Sequence, residues 1–212
     1  MLKAVIFDYN GILVDDLIYH RDAYCRVAEE RGFSLTPDAI WQYISATPDE
    51  KRVLFGDITD EEWRRIRSLK DQYYFELIDG KDFVIPGVED ILKSLRTTYD
   101  LGLISNTSRS YFERLFPKHA ADGFKETLFS EEMATPKPAP DPLLKMMKLL
   151  NVDPGACCYI GDAITDVQMT KSAGVRMVGV TTGHHSGKQL ADAGADWVVG
   201  SLEKFVAMIP DI

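Results

Sequence analysis

Two hydrophobic patterns divide this chain. Residues 4–7, Ala-Val-Ile-Phe, are apolar without alternation and end at Asp8, followed by a turn through Gly11. Such a run predicts a strand buried on both faces of a parallel sheet, which delivers its last side chain to the carboxyl edge. Beyond Val14 that pattern vanishes. The spacing predicts helices over 17–31, 36–45 and 59–78, the last carrying Trp63, Ile66, Leu69, Tyr73 and Leu77 at intervals of three and four. Arg31-Gly32, Thr36-Pro37, Thr47-Pro48 and Phe55-Gly56-Asp57 mark the turns of this helical stretch. After Pro86-Gly87, short apolar strands return at 101–105, 127–129, 156–160, 177–180 and 197–199. Helices are predicted between them at 88–97, 109–116, 141–150, 164–173 and 187–193.

Strands apolar on both faces and separated by helices imply an α/β fold: a Rossmann-like parallel sheet core with helices on both faces, plus an inserted all-helical cap. The expected division is a core of 1–14 with 81–212 and a cap of 15–80. Trp41, Tyr43, Trp63 and Tyr73 lie on the predicted cap helices, where packing into the cap interior is expected.

Composition narrows the classes. With 212 residues, 45% hydrophobic and 27% charged, the chain suits one good-sized globular unit or a core with a modest insert. A net charge of -9 repels nucleic acid on average, yet leaves room for a small anion at a locally positive spot. No apolar run approaches the about 20 residues that span a bilayer, so no membrane partner is expected. The cysteines, Cys25, Cys157 and Cys158, are odd in number, and no leader-like segment precedes Val5. The expectation is a reducing, cytoplasmic compartment and a monomer or homodimer. Cys157 and Cys158 alternate across a strand, so core packing is expected of them rather than a disulfide.

Chemistry gathers at or near the ends of the predicted strands. Asp8 and Asn10 follow the first strand. Ser105-Asn106-Thr107 follow the second and offer a hydroxyl and amide donors. Lys137 stands between prolines in Thr135-Pro136-Lys137-Pro138. Gly161-Asp162-Ala163-Ile164-Thr165-Asp166 puts two carboxylates four residues apart at a helix start, hence on one face. Each feature alone has an ordinary explanation: an N-cap, a strand-ending turn, a loop lysine. Together they meet the needs of phosphoryl transfer, which takes an in-line nucleophile and cations that neutralise the equatorial oxygens. Three clustered carboxylates would raise one another's pKa values without a cation, which argues for a bound metal.

In order and spacing these motifs resemble the haloacid dehalogenase superfamily, whose phosphatases carry Asp-x-Asp-Gly, Ser/Thr, Lys and Gly-Asp-x-x-x-Asp in this sequence. The resemblance covers essentially the whole chain, including a helical cap just after the first motif. It implies a Mg²⁺-dependent hydrolase acting on a small phosphorylated metabolite, in the manner of phosphoglycolate phosphatases. Asp8 would be the nucleophile forming an aspartyl-phosphate; Ser105, Asn106 and Lys137 would bind the phosphoryl group. Asp162 and Asp166 would hold or position Mg²⁺ with Asp8, and the main-chain carbonyl of Asn10 would be a further ligand.

Asn10 departs from the pattern. The phosphatases have there an Asp that protonates the leaving oxygen and then activates water, and an amide does neither. Three readings stay open: an engineered isosteric substitution that traps the intermediate, a natural slow or specialised enzyme, or a regulatory protein that binds a phospholigand without turning it over. A phosphosugar mutase would rely still more on the missing acid. A dehalogenase would carry Asp-x-Tyr-Gly and a different fourth motif. In the cap, His20, Lys51 and Arg52 are the candidates for substrate choice. His184-His185 lack spaced partners for a metal and are expected on the loop surface near the site mouth.

Overall fold

The computed structural model describes residues 1–209. In chain order its elements are β1 (Ala4–Phe7), α1 (Leu17–Arg31), α2 (Pro37–Gln42), α3 (Pro48–Arg52), α4 (Asp60–Ile78), α5 (Val88–Leu95), β2 (Asp100–Ile104), α6 (Arg109–Leu115), α7 (Lys118–Ala121), β3 (Glu126–Leu128), α8 (Asp141–Leu150), β4 (Cys157–Gly161), α9 (Ile164–Ala173), β5 (Arg176–Val180), α10 (Gly187–Ala193), β6 (Trp197–Val199) and α11 (Leu202–Met208). They form two compact units, Met1–Asp15 with Val84–Ile212, and Asp16–Phe83.

The first unit is built on a six-stranded sheet in the order β3-β2-β1-β4-β5-β6, with every pair parallel. Side-chain alternation along β1 covers both faces. Ala4 and Ile6 enter a core with Leu143, Met146 and Leu150 of α8 and Met169 of α9, while the Phe7 ring meets Phe205 of α11 edge-on. Gly102 of β2 lets α8 come close, since a Cβ there would lie 2.9 Å from Met146 Sδ and 3.2 Å from Leu150 Cδ1. Cys157 and Cys158 are both buried as free thiols in β4.

The sequence order of the strands reverses between β1 and β4, the switch point at which open parallel sheets leave a crevice beyond their carboxyl ends. Phe7 is in register with Leu103 and Ile160, so Asp8, Ile104 and Gly161 follow side by side at that edge. The ladder runs one step past each strand: Asp8 N–H donates to Ile160 O at 2.8 Å and Ser105 N–H to Leu128 O at 3.0 Å. Both residues are therefore fixed by main-chain bonds before any side-chain contact is made.

In the second unit Tyr24, Val27, Ile40, Phe55, Trp63, Ile66 and Tyr74 are buried, Trp63 and Tyr73 among the aromatics expected there, whereas Trp41 and Tyr43 are only half-buried. The Thr47-Pro48 step, expected as a turn, instead opens α3. Pro48 sits at the first helical position, where its missing N–H costs nothing. The Thr47 hydroxyl accepts from Glu50 N–H at 3.3 Å while the Glu50 carboxylate accepts from Thr47 N–H at 2.7 Å. Helices α7 and α11, which the hydrophobic spacing did not reveal, are four and seven residues long, no more than two turns. Among the described residues no helix is long and apolar enough to cross a membrane.

Candidate active site

Every core-unit residue singled out from the motifs lies at one sheet edge, and Asp8, Ser105, Lys137, Asp162 and Asp166 are all buried there. The Lys137 ammonium is the hub. Its Nζ lies 2.8 Å from Asp8 Oδ1 and 2.9 Å from Asp166 Oδ1, and donates to the Tyr159 hydroxyl at 3.2 Å, which occupies its three protons. Burial opposes the lysine's charge, but Asp166 and Asp8 outweigh it and hold its pKa above the ordinary value.

Main-chain bonds set the lysine's position. Lys137 N–H donates to Asn106 Oδ1 at 3.2 Å, and Asn106 Nδ2 donates back to Lys137 O at 3.3 Å. Asn106, suggested by the sequence for phosphate, thus engages the lysine's own backbone with Oδ1 and one Nδ2 proton, and Nδ2 carries a second proton. Ser105 Oγ accepts from Thr107 N–H at 3.1 Å, which leaves its hydroxyl proton to be donated elsewhere. The Thr107 hydroxyl donates to Asn10 Oδ1 at 2.6 Å. Gly11 N–H donates to Val14 O at 2.7 Å, and because a trans peptide holds C=O opposite N–H, the Asn10 carbonyl is turned away from Val14.

The three carboxylates differ in how far they are engaged. Asp166 uses both oxygens: Oδ1 takes Lys137 and the Tyr159 hydroxyl at 3.3 Å, Oδ2 takes Ala163 N–H at 3.1 Å. Asp162 Oδ2 accepts from His184 N–H at 2.6 Å. Asp8 Oδ1 takes Lys137 and Tyr9 N–H at 2.7 Å. Burial raises Asp8 to about 7, opposed by Lys137 and reinforced by Asp166. Burial, then the charges of Asp8 and Asp166, push Asp162 well above the carboxylate range. Three buried carboxylates, Asp8, Asp162 and Asp166, with ligand oxygens within 4.8 Å of one another, fit a small hard cation that prefers oxygen donors.

Residues not singled out from the sequence complete the site. Tyr159 lies on a strand, where it read only as core, and Thr107 was noted only as part of its tripeptide. The loop after β5 is the third. Thr182 Oγ1 donates to Gly11 O at 2.6 Å, and His185 N–H donates to Asp162 O at 3.2 Å. His184 and His185, expected on the loop surface, are half-buried with their rings edge to face at 4.0 Å. Their contribution at Asp162 is through main-chain N–H groups, which leave no signature in residue type.

The remaining candidates belong to the second unit. His20 Nε2 lies 3.2 Å from Asp16 Oδ2, which also accepts from the Tyr74 hydroxyl at 2.6 Å, and the imidazole stacks on Tyr74 at 4.1 Å. Burial, with repulsion from Lys70, lowers His20 to about 4. Lys51 Nζ donates to Ala46 O at 2.6 Å, and burial followed by the Lys70 charge lowers it to about 7. Arg52 pairs with Asp60 at 2.7 Å and donates to the Ile58 carbonyl, so its guanidinium braces the turn before α4.

Residues 5–180 match the haloacid dehalogenase-like hydrolase family. The chain is 31% identical to a phosphoglycolate phosphatase of Salmonella typhi, over 95% of this chain and 90% of that protein. To a phosphorylated carbohydrates phosphatase of Thermotoga maritima it is 29% identical over 92% of each. The match to the phosphoglycolate phosphatase of Salmonella paratyphi A takes in 68% of this chain and 58% of that protein's length. A hydrolase from Pseudomonas syringae superimposes with a TM-score of 0.85 at 21% identity, covering 99% of both chains. With its motifs drawn to one edge of a parallel sheet, the chain belongs to the haloacid dehalogenase-like hydrolases and is phosphoglycolate phosphatase-like among them.

Proposed function

We propose that the protein is a Mg²⁺-dependent, cytoplasmic hydrolase of a small phosphate monoester, working through an aspartyl-phosphate on Asp8. The observation that carries this reading is the buried Asp8–Lys137–Asp166 bridge beside Asp162 at the sheet's switch point. Lys137 and Tyr9 N–H both hold Asp8 Oδ1, so Oδ2 is the oxygen assigned to attack phosphorus. The Ser105 hydroxyl binds an equatorial phosphoryl oxygen, and Lys137, in giving up one of its three present partners, binds and neutralises another. Asp8, Asp162 and the Asn10 carbonyl would hold the metal, with Asp166 adding charge and fixing the lysine. Bound Mg²⁺ supplies neutralisation of the phosphoryl charge.

Asn10 sets the rate. Its carboxamide, accepting from Thr107, has no acidic proton to give to a leaving alkoxide and no basic oxygen for water. Alkyl phosphates should therefore turn over slowly, and aryl or acyl phosphates, whose leaving groups need no acid, faster. Choice among esters is assigned to the cap, with His20 and Lys51 as the residues to vary.

The test is a Mg²⁺-dependent assay of aryl and alkyl phosphates on this chain and on Asn10→Asp, with intact-mass detection of a phosphate adduct on Asp8. Restoring the acid should raise alkyl phosphate turnover by about 10² or more at nearly constant KM. Bound Mg²⁺ with neither turnover nor adduct in either protein would replace this reading by that of a phospholigand-binding protein.

A further inference from the structure

The loop between β5 and α10 is absent from the motif set, yet it touches both neighbours of the metal site. Thr182 Oγ1 donates to Gly11 O at 2.6 Å, and so ties down the turn that carries the Asn10 carbonyl. Two residues on, His184 N–H takes Asp162 Oδ2 at 2.6 Å, and His185 N–H takes the Asp162 carbonyl at 3.2 Å. The same carboxylate oxygen is wedged between two glycines. A Cβ on Gly11, whose φ is +77°, would stand 2.7 Å from Asp162 Oδ2 and 2.8 Å from Gly183 Cα; a Cβ on Gly183 would fall on Asp162 Oδ2 itself. Glycine is required at 183 for want of space rather than for its backbone angle.

We infer that the 181–186 loop is a positioning device for the metal site: Thr182 fixes the Gly11 turn, and Gly183 with the His184 N–H orients Asp162 so that one oxygen is committed to the loop and the other is left for the cation. The inference rests on the metal assignment above and goes beyond it in naming the residues that set affinity. Outer partners of ligand carboxylates typically change metal affinity by about 10- to 100-fold when removed. Thr182→Val keeps the shape of the side chain and deletes its donor, whereas Thr182→Ser keeps the donor. Gly183→Ala adds only the carbon that the wedge excludes.

Mg²⁺ titration calorimetry on the parent and the three variants reads this directly, with metal-free melting as the check on folding. Thr182→Val should weaken Mg²⁺ about tenfold, Thr182→Ser by no more than about twofold, and Gly183→Ala beyond detection, with metal-free melting close to the parent's for both Thr182 variants. Should Thr182→Val and Gly183→Ala both bind Mg²⁺ as the parent does, the loop assignment is overturned. A parent that does not bind Mg²⁺ at millimolar concentration overturns the metal assignment and this one with it. A parent that binds Mg²⁺ but leaves p-nitrophenyl phosphate intact, with the variants ordered as expected, upholds the loop and removes the phosphatase reading.

Discussion

Asp8 is held where its charge is costly. Burial is the largest cause, and the Lys137 ammonium offsets only part of it. A carboxyl raised from the ordinary value of 3.8 to about 7 stabilises the fold in its protonated form; that contribution is full below about 4 and is lost as pH rises through about 7. Metal-free Asp8→Asn should therefore be more stable than the parent at pH 8, by at most about 4 kcal/mol, and nearly equal to it at pH 4. Urea denaturation at both pH values, in EDTA, checks this, and a gain independent of pH would contradict the assigned charge cost. At this scale the sequence carried most of the site. Asp8, Ser105, Lys137, Asp162 and Asp166 each announce themselves by type and by place after a strand or turn. Asn106 was legible as a site residue, but its brace on the Lys137 backbone was not, because which partner a carboxamide takes depends on where the chain returns. Tyr159 was not legible at all: a tyrosine in an apolar strand is ordinary core until a lysine 22 residues earlier is found on its hydroxyl.

Elements were legible wherever hydrophobic period and punctuation agreed. Helix α1, α8, α9 and α10 begin and end at the residues that their spacing and glycine or asparagine stops indicate. Helix α3 was hidden because a proline reads as a break when it closes a helix and as a start when a capping threonine precedes it. The contact of α8 with β2 was also hidden, since a glycine in a strand does not say which helix it admits. Gly102→Ala should cost about 1–3 kcal/mol in chemical denaturation through the clash with Met146 and Leu150. An unchanged midpoint would mean that the methionine simply swings aside. The loop after β5 was expected near the site mouth, but its work at Asp162 was out of reach, being done by peptide N–H groups and by a glycine's lack of a side chain.

For the molecule as a whole, alternation of strand and helix was enough to foresee a parallel sheet with helices on both faces, and an interrupting helical stretch was plain from its change of period. Strand order was not foreseen; it follows from packing, and it is the order that gathers residues from positions 8, 105, 137 and 162 into one crevice. A cation that binds only the assembled crevice must stabilise the folded chain by mass action, by about 2.7 kcal/mol at a hundredfold excess over its dissociation constant. Mg²⁺ should raise the melting temperature accordingly, EDTA should reverse the shift, and Asp162→Asn should abolish it. A parent whose melting ignores Mg²⁺ would argue against the metal assignment.

The segment that leaves the core and the one that returns to it are stitched together on the core itself. Val14 bridges Val84 in antiparallel fashion, and Ile85 N–H donates to Leu13 O at 3.0 Å. Entry and exit of the 68-residue Asp16–Phe83 unit are thus side by side, and the sheet is threaded the same way whatever hangs between them. Inheritance can treat such an insert as an exchangeable part. The bonds that close its base belong to the core, so a change of length or sequence within the insert need not disturb the strands that carry the site.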